Sequence, residues 1–510
     1  MRRQSRGRKG RHMKNVLEYL EKTAGAFPRK TGFTDHIREV TFVEAEENAK
    51  RIASSVISAG TGRPVAVMID RSVACIEAMM GAVYGGCFYT VIDIHSPENR
   101  IKEIMRTLSP AAVIACRETE QMAGRVYKGG NIIVYEEAVK SETDEEAIGN
   151  IRKDMIDTDP LYILFTSGSS GAPKGTVVSH RSVMNYTEWV SGEFGFDENT
   201  SFGSQTPLYF SMSVTDLFST LKCGGTFHII PREYFAFPMK LIEVMNRRRV
   251  NTIYWVPSAM ALLSNWDAFA YDKPSYLQKV LFAGEVMPVK HLNYWMDHLP
   301  DCMYANLFGP TETTDICTFY VVDRRFRDNE TLPIGKACDN CSVTVLTEEG
   351  REAGTGETGE LLVRGSFLAD GYYNDMKRTE KAFVQNPLND KYPEKVYRTG
   401  DLVRKNERGE LTYAGRKDLQ MKRMGYRIEA GEIEAAAAAV QGVRSAAAVQ
   451  GEGGRIILIY EGACEDTETV RKKAEAMLPP YMMPDRVVRV ESMPYNSNGK
   501  IDRRSLREII

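Results

Sequence analysis

The chain has 510 residues, too many for one ordinary core, so two or more domains are expected. Lys and Arg number 66 against 68 Asp and Glu, a balance that carries no bulk signal for a polyanionic partner. Apolar residues make up 43%, enough for a buried core, yet no apolar run approaches the roughly 18 residues needed to span a bilayer.

The first twelve residues, MRRQSRGRKGRH, are basic and hold no apolar stretch, so they do not read as a secretory signal. A disordered tail is expected there, with Met13 as an alternative start; a nucleic-acid-binding arm is the weaker reading. Thr41-Phe42-Val43-Glu44 has capping-box spacing, and Ala49, Ile52, Ala53 and Val56 follow at helical spacing up to Gly60. Val65–Ile69 reads as a strand, Ser72–Tyr84 as a helix and Phe88–Ile92 as a strand, which predicts a parallel pair with a right-handed crossover. Residues 104–135 continue the α/β pattern, and 138–150 form a charged surface segment.

Next comes LYILFTSGSSGAPKGTVVS, residues 161–179: a β-prone run, a loop rich in glycine and hydroxyls, and a second β-prone run. Gly168, Gly171 and Gly175 let backbone amides approach a ligand closely, while Thr166, Ser167, Ser169 and Ser170 add donors and Lys174 adds charge. Such a loop suits a polyphosphate, although the Gly-Lys-Ser/Thr order of a Walker loop is absent. A flexible surface hairpin is the bland alternative.

Ser182–Phe194 is expected to be helical, and a helix capped by Ser213 should stop at Gly224-Gly225. Ile253–Pro257 and Lys279–Phe282 read as buried strands whose C-terminal turns, like that at Asn306–Thr314, lie where open α/β sheets place ligands. From Ser342 to Arg364, and again from Leu402 to Gly415, short β segments with glycine turns predict a small β subdomain. Beyond Gly415-Arg416-Lys417-Asp418, about ninety residues suffice for an independent α+β lid. Nine scattered cysteines imply a reducing, cytoplasmic setting, and the lone pair Cys338-x-x-Cys341 lacks a second pair at zinc spacing.

The loop at 166–175 closely resembles the phosphate loop of adenylate-forming enzymes, which include peptide-synthetase adenylation domains, acyl-CoA ligases and D-alanine–carrier protein ligases. Further matches extend the resemblance over nearly the whole chain. It implies an α/β fold with a large N-terminal domain, 14–415, of two α/β subdomains and a small β subdomain, followed by a mobile lid, 416–510. It also implies ATP and Mg²⁺ as cofactors.

Within the motif Asn306-Leu307-Phe308-Gly309-Pro310-Thr311-Glu312, the resemblance gives Glu312 the Mg²⁺, Thr311 the α-phosphate, Asn306 the adenine edge and Phe308 the stacking face. One carboxylate plus phosphate oxygens is a common way to hold Mg²⁺. Gly284 and Glu285 join this nucleotide site, Asp401 would take the ribose hydroxyls with Arg416 close by, and Asp418 would be the hinge. Gly425 would line the tunnel for a pantetheine thiol, and Lys500 would bridge the substrate carboxylate and α-phosphate as charge builds.

By alignment with the family, Phe210, Ser211, Met212, Thr215 and Tyr254 line the acyl pocket with Leu281, Ala283, Leu307, Asp315 and Ile316. Enzymes for α-amino acids carry Asp after the aromatic; Ser211 stands there in this chain. A hydroxyl cannot neutralise a buried ammonium, so a conventionally bound α-amino acid is not expected. Asp315 is the acid among the pocket residues and could meet a distal amine or hydroxyl.

The implied activity is ATP-dependent conversion of a small carboxylic acid to its acyl-adenylate, then transfer to the phosphopantetheine thiol of a separate carrier protein. D-alanine–carrier protein ligase, acyl-CoA ligase with CoA as acceptor, and a degenerate adenylate-binding regulator are the alternatives. No nucleic-acid or membrane partner is expected.

Overall fold

A computed structural model of the chain describes residues 13–168, 172–327, 330–417, 420–464, 466–494 and 501–508. Ser169, Ser170, Gly171, Asp418 and Lys500, singled out from the sequence, lie outside the described residues.

Two large sheets carry the body. One runs, in spatial order, through Gly371–Tyr372, Lys174–Ser179, Pro160–Thr166, Phe88–Val91, Pro64–Met68, Ala112–Ala115 and Ile132–Val134. The expected crossover is there: Pro64–Met68 and Phe88–Val91 pair in parallel, joined by the helix Val73–Tyr84, whose Ser72 cap accepts from the Cys75 amide. The other sheet has nine strands among the described residues. Its central strands Thr226–Ile229, Ser201–Ser204, Thr252–Trp255, Lys279–Phe282 and Met303–Phe308 are parallel. Most of their residues are buried, apolar ones such as Phe202, Phe227, Ile253, Val280 and Leu281 beside polar ones such as Ser204, Thr252 and Asn306, as a sheet covered on both faces demands.

Helices pack between and over these sheets. Phe42–Ile57 opens with the predicted capping box, Thr41 and Glu44 each satisfying the other's backbone. Charged residues 145–154 form a helix with Ile148 as its buried side chain, in line with a surface segment. One cap differs from expectation. Ser213 does not cap the helix Ser213–Cys223; its hydroxyl donates to the Phe210 carbonyl, and Met212 precedes the helix already in helical conformation. The turn 210–213 is tight enough to satisfy Ser213 locally. Gly224, at φ +76°, does end that helix.

Residues 341–416 supply an antiparallel sheet of Cys341–Leu346, Thr358–Gly365, Lys395–Lys405, Phe383–Gln385 and Leu411–Arg416. After residue 420 the chain changes partners. A two-stranded hairpin (Gln420–Arg423, Tyr426–Glu429) precedes the helix Ala430–Ala438 and a three-stranded sheet. Its apolar residues, Met421, Ile428, Ile433, Leu458, Tyr460 and Val470 among them, form a core of their own, apart from the cluster that fills the body.

Candidate active site

The parallel strands, the turn after Met303–Phe308 and the hairpin of residues 420–429 converge on one place. Strand ends put it there: Thr166 closes one strand, Lys174 opens the next, and Glu312 lies in the short 3-10 turn Thr311–Thr313. The turn is aimed by strain. Thr314, β-branched, adopts φ +66° and is held by its hydroxyl donating to the Phe367 carbonyl at 2.8 Å. It thus directs Glu312 and Asp315 to different walls.

Glu312 is fully buried. Its Oε1 accepts from Lys174 Nζ at 3.0 Å, Tyr372 Oη at 2.6 Å and Arg427 Nη1 at 3.0 Å; Oε2 accepts from the same Nη1 at 2.9 Å. Burial raises this carboxyl's pKa, but Arg427, Lys174 and the Tyr372 hydroxyl outweigh it and hold the group well below the usual carboxylate range. Burial and then Arg427 depress the Lys174 ammonium.

The hairpin holds the phosphate loop too. Ser167 Oγ donates to the Arg427 carbonyl at 2.6 Å, and the Gly168 amide donates to Glu432 Oε1 at 2.9 Å. Glu432 Oε2 pairs with Arg100 Nη1 at 2.6 Å, both side chains buried. Hence the loop residues Ser167 and Gly168, together with Lys174 and Glu312, face one lid segment.

Asp401 pairs with Arg416 at 2.9 Å across neighbouring strands, and its amide donates to the Thr399 hydroxyl. Lys422 reaches in from the hairpin, 5.2 Å from the centre of the Phe308 ring, and burial depresses its ammonium despite Asp401. Asn306 is buried with its amide donating to the Pro333 carbonyl, while Glu285 accepts from the Ser258 amide. Thr166 Oγ1 is buried in the wall of the central cavity without a protein partner among the described residues, as an atom awaiting a polar ligand would be.

That cavity is lined at one end by Thr166, Gly309, Thr311, Asp401, Arg416 and Lys422, and at the other by Phe210, Ser211, Met212, Ala283, Asp315 and Ile316. Thr215 and Tyr254 stand behind Asp315, donating to its Oδ2 at 2.8 and 3.2 Å, and Tyr186 joins them at 3.0 Å. Leu281 and Leu307 are buried in their strands and do not line the cavity. Burial pushes the Asp315 carboxyl up to about 6, against the pull of four hydroxyls, those of Thr215, Tyr186, Tyr254 and Ser211.

At the hairpin turn Met424 and Gly425 have φ +51° and +78°, the signs a two-residue turn needs between right-twisted strands. Gly425 abuts Gly284: a Cβ on Gly284 would lie 3.3 Å from the Gly425 Cα, and a Cβ on Gly425 only 2.5 Å from Val256 Cγ1. Beyond this contact opens a cleft of about 570 Å³ between body and lid, walled by Tyr209, Phe210, Ala259, Met424 and Tyr426, with Arg232 and Arg423 beside them. Phe210 borders both the cleft and the inner cavity.

Sequence reading finds Lys174, Glu312, Asp401 and Asp315, and misses Arg427, Glu432, Arg100, Tyr372 and Tyr186. The signal for Arg427 is faint: a charged residue alternating with apolar ones in a two-stranded hairpin reads as solvent-facing. Cys338 and Cys341 are free thiols, and no metal-ligating cluster exists among the described residues.

Residues 20–373 match the family model "AMP-binding enzyme", and 432–500 match "AMP-binding enzyme C-terminal domain". An L-proline–[L-prolyl-carrier protein] ligase of Streptomyces coelicolor is 32% identical over 505 residues, covering 92% of this chain and 91% of that protein. Tyrocidine synthase 1 of Brevibacillus parabrevis is 29% identical over 97% of this chain, which spans only 45% of that longer protein. An adenylation domain from Vibrio cholerae, solved with glycyl-adenosine-5'-phosphate, shares the fold with a TM-score of 0.82 over 99% of both chains at 21% identity. With the two family models matched in order along the chain, and ligases among its relatives, this protein belongs to the AMP-binding, adenylate-forming enzymes.

Proposed function

We propose that the chain activates a small carboxylic acid with ATP and then transfers the acyl group to the phosphopantetheine thiol of a carrier protein. In the first step a carboxylate oxygen bonds to the α-phosphorus, and the bond to the leaving pyrophosphate breaks with its electron pair. In the second the thiol sulfur bonds to the acyl carbon, AMP leaves, and the thiol proton passes to solvent. The reaction needs positioning and charge neutralisation more than covalent help.

The observation that carries this reading is that the inner cavity and the cleft adjoin, Phe210 lining both and Gly284 meeting Gly425 between them with no side chain on either. An acyl group held beside Asp315 can be reached from outside by a long, narrow thiol arm. The relatives named as carrier-protein ligases support the same acceptor. We assign Asp401 to the ribose, Thr166 and Thr311 to the phosphate side, Lys500 to the attacking carboxylate, and Asp418 to the hinge between a body of 14–415 and a lid of 416–510.

Glu312 is the group suited to Mg²⁺, whose role when bound is to neutralise phosphate oxygens. Both its oxygens are engaged by Arg427 here, so the ion and this lid guanidinium contend for one carboxylate. The same holds for Gly168, whose amide is held by Glu432 where a phosphate would otherwise accept from it. This lid position therefore suits the second step, after pyrophosphate has gone, and the first step requires the lid to turn away.

No described helix is long and apolar enough to cross a membrane. We place the reaction in the cytoplasm, with ATP and the carrier protein. The test is ATP–pyrophosphate exchange against a panel of acids, followed by intact-mass analysis of holo-carrier proteins and of CoA. Acid-dependent exchange and a carrier mass shift are expected. Exchange without transfer to a carrier, but with transfer to CoA, would overturn the acceptor; no exchange with any acid would overturn the activity.

A further inference from the structure

Two buried acids, Asp401 and Asp315, line the central cavity, a third, Glu312, is buried beside the lining residue Thr311, and the three are treated differently. Glu312 has Arg427 and Lys174; Asp401 has Arg416. Asp315, 2% exposed, is in no ion pair among the described residues. Its Oδ2 takes the hydroxyls of Thr215, Tyr186 and Tyr254, and Ser211 supplies a fourth. Tyr186 Oη and Thr215 Oγ1 also lie 2.6 Å apart, so these donors form a connected wall around the acid.

Hydroxyls stabilise a buried carboxylate but do not neutralise it. A carboxylate on a cavity wall with a full hydroxyl shell and no counter-charge is preorganised for a cation that arrives with the ligand. A tightly packed apolar residue would serve an uncharged acyl chain better, without the desolvation cost.

The groups that share the cavity bear on where the ligand carries that cation. The reacting carboxylate must face Thr311, Asp401 and Arg416, which line the nucleotide end of the same cavity. Asp315 lines that cavity with Phe210, Ser211, Met212, Ala283 and Ile316, backed by Tyr186 of the helix His180–Glu193 and Tyr254 of the strand Thr252–Trp255. Ser211, in the turn before the helix Ser213–Cys223, offers a neutral hydroxyl. Resting on the activity proposed above, we infer that the substrate is a small amino acid whose ammonium is carried on its third carbon or beyond, and that Asp315 is the residue that selects it.

The experiment measures pyrophosphate exchange by the whole chain with matched acids: propionate, 3-hydroxypropionate, D- and L-alanine, L-proline, β-alanine, 3-aminobutyrate, 4-aminobutyrate and 5-aminovalerate. One of the last four is expected to give the highest kcat/KM. Asp315→Asn should lower that value about a hundredfold relative to the uncharged acid of equal length, because an ammonium would lose its buried partner. Ser211→Asp should move the ranking toward the alanines. The wild-type ranking decides the matter even if a variant fails to fold. A best substrate that is an α-amino acid, a hydroxy acid or an uncharged acid would overturn the inference while leaving the activity standing. Exchange with no acid at all would overturn both.

Discussion

The two ends of the central cavity obey different rules. At the phosphate end each charged group of the body faces a charged group of the lid or its own strand neighbour: Glu312 with Arg427, Asp401 with Arg416, Arg100 with Glu432. At the acyl end one carboxylate, Asp315, sits among neutral hydroxyls. The first end is satisfied by the protein itself and so can switch between lid and nucleotide. The second is left short of one positive charge, which only a ligand can bring. Exchangeable partners suit a site that must open and close within each turnover; a fixed deficit suits a site that must choose.

The largest effect is expected at Lys500, the residue assigned to the attacking carboxylate. Lys500→Ala should slow adenylate formation by about a hundred- to a thousandfold, as for a lost transition-state stabiliser, and largely spare transfer from a pre-formed adenylate. Equal losses in the two half-reactions would contradict its assignment to the attacking end.

The deficit at Asp315 should be visible in stability as well. Its carboxyl is raised from 3.8 to about 6 by burial, so folding is penalised fully above about pH 6 and not at all below 3.8. The tyrosines that face it, Tyr162, Tyr186 and Tyr254, are pushed further up by burial and stay neutral through that interval, and burial raises the neighbouring Asp216 carboxyl as well. Asp315→Asn should therefore stabilise the ligand-free protein by about 3 kcal/mol at pH 8, with the gain fading as pH falls to 4. Denaturant melts at the two pH values check this; a destabilised variant at pH 8 would mean the acid is structural.

At the other end, Arg427→Ala removes the lid's hold on Glu312. Thioester formation should fall roughly thirtyfold, about 2 kcal/mol, and adenylation should keep a larger share of its rate. Single-turnover assays of each step decide; a loss confined to adenylation would reverse the roles given to the two lid positions. Gly425→Ala should act more weakly. Its Cβ would lie 2.5 Å from a Val256 methyl in a φ that disfavours side chains, a crowding of about 1–3 kcal/mol, and about tenfold slower transfer is expected.

Much of the fold was legible because its signals are local. The capping box at Thr41, the glycine loop between two β-prone runs, and the strand–helix–strand unit at 64–91 each follow from residues within one element. Asp401 and Arg416 pair across adjacent strands, 15 positions apart in a readable β region. Arg100 and Glu432 are 332 residues apart, and nothing in either neighbourhood announces the other. Arg427 reads as an exposed strand residue because its partner, Glu312, belongs to a different part of the chain. Ser213 was misread for the opposite reason: a residue that can cap a helix found a nearer acceptor in Phe210. The acyl pocket was half legible. Asp315 shows as an isolated acid in sequence, whereas the hydroxyl shell that makes it a specificity device comes from three separate elements.

On the reading proposed above, lid and nucleotide phosphates share Ser167, Gly168, Lys174 and Glu312. Hydrogen exchange of the hairpin and the following helix, residues 420–438, tests it most directly. Adding Mg²⁺ with a non-cleavable ATP analogue should displace Arg427 and Glu432 and speed exchange at these amides, and AMP alone should not. Exchange unchanged by the analogue, at concentrations that saturate binding, would mean that lid and phosphates do not compete for these residues.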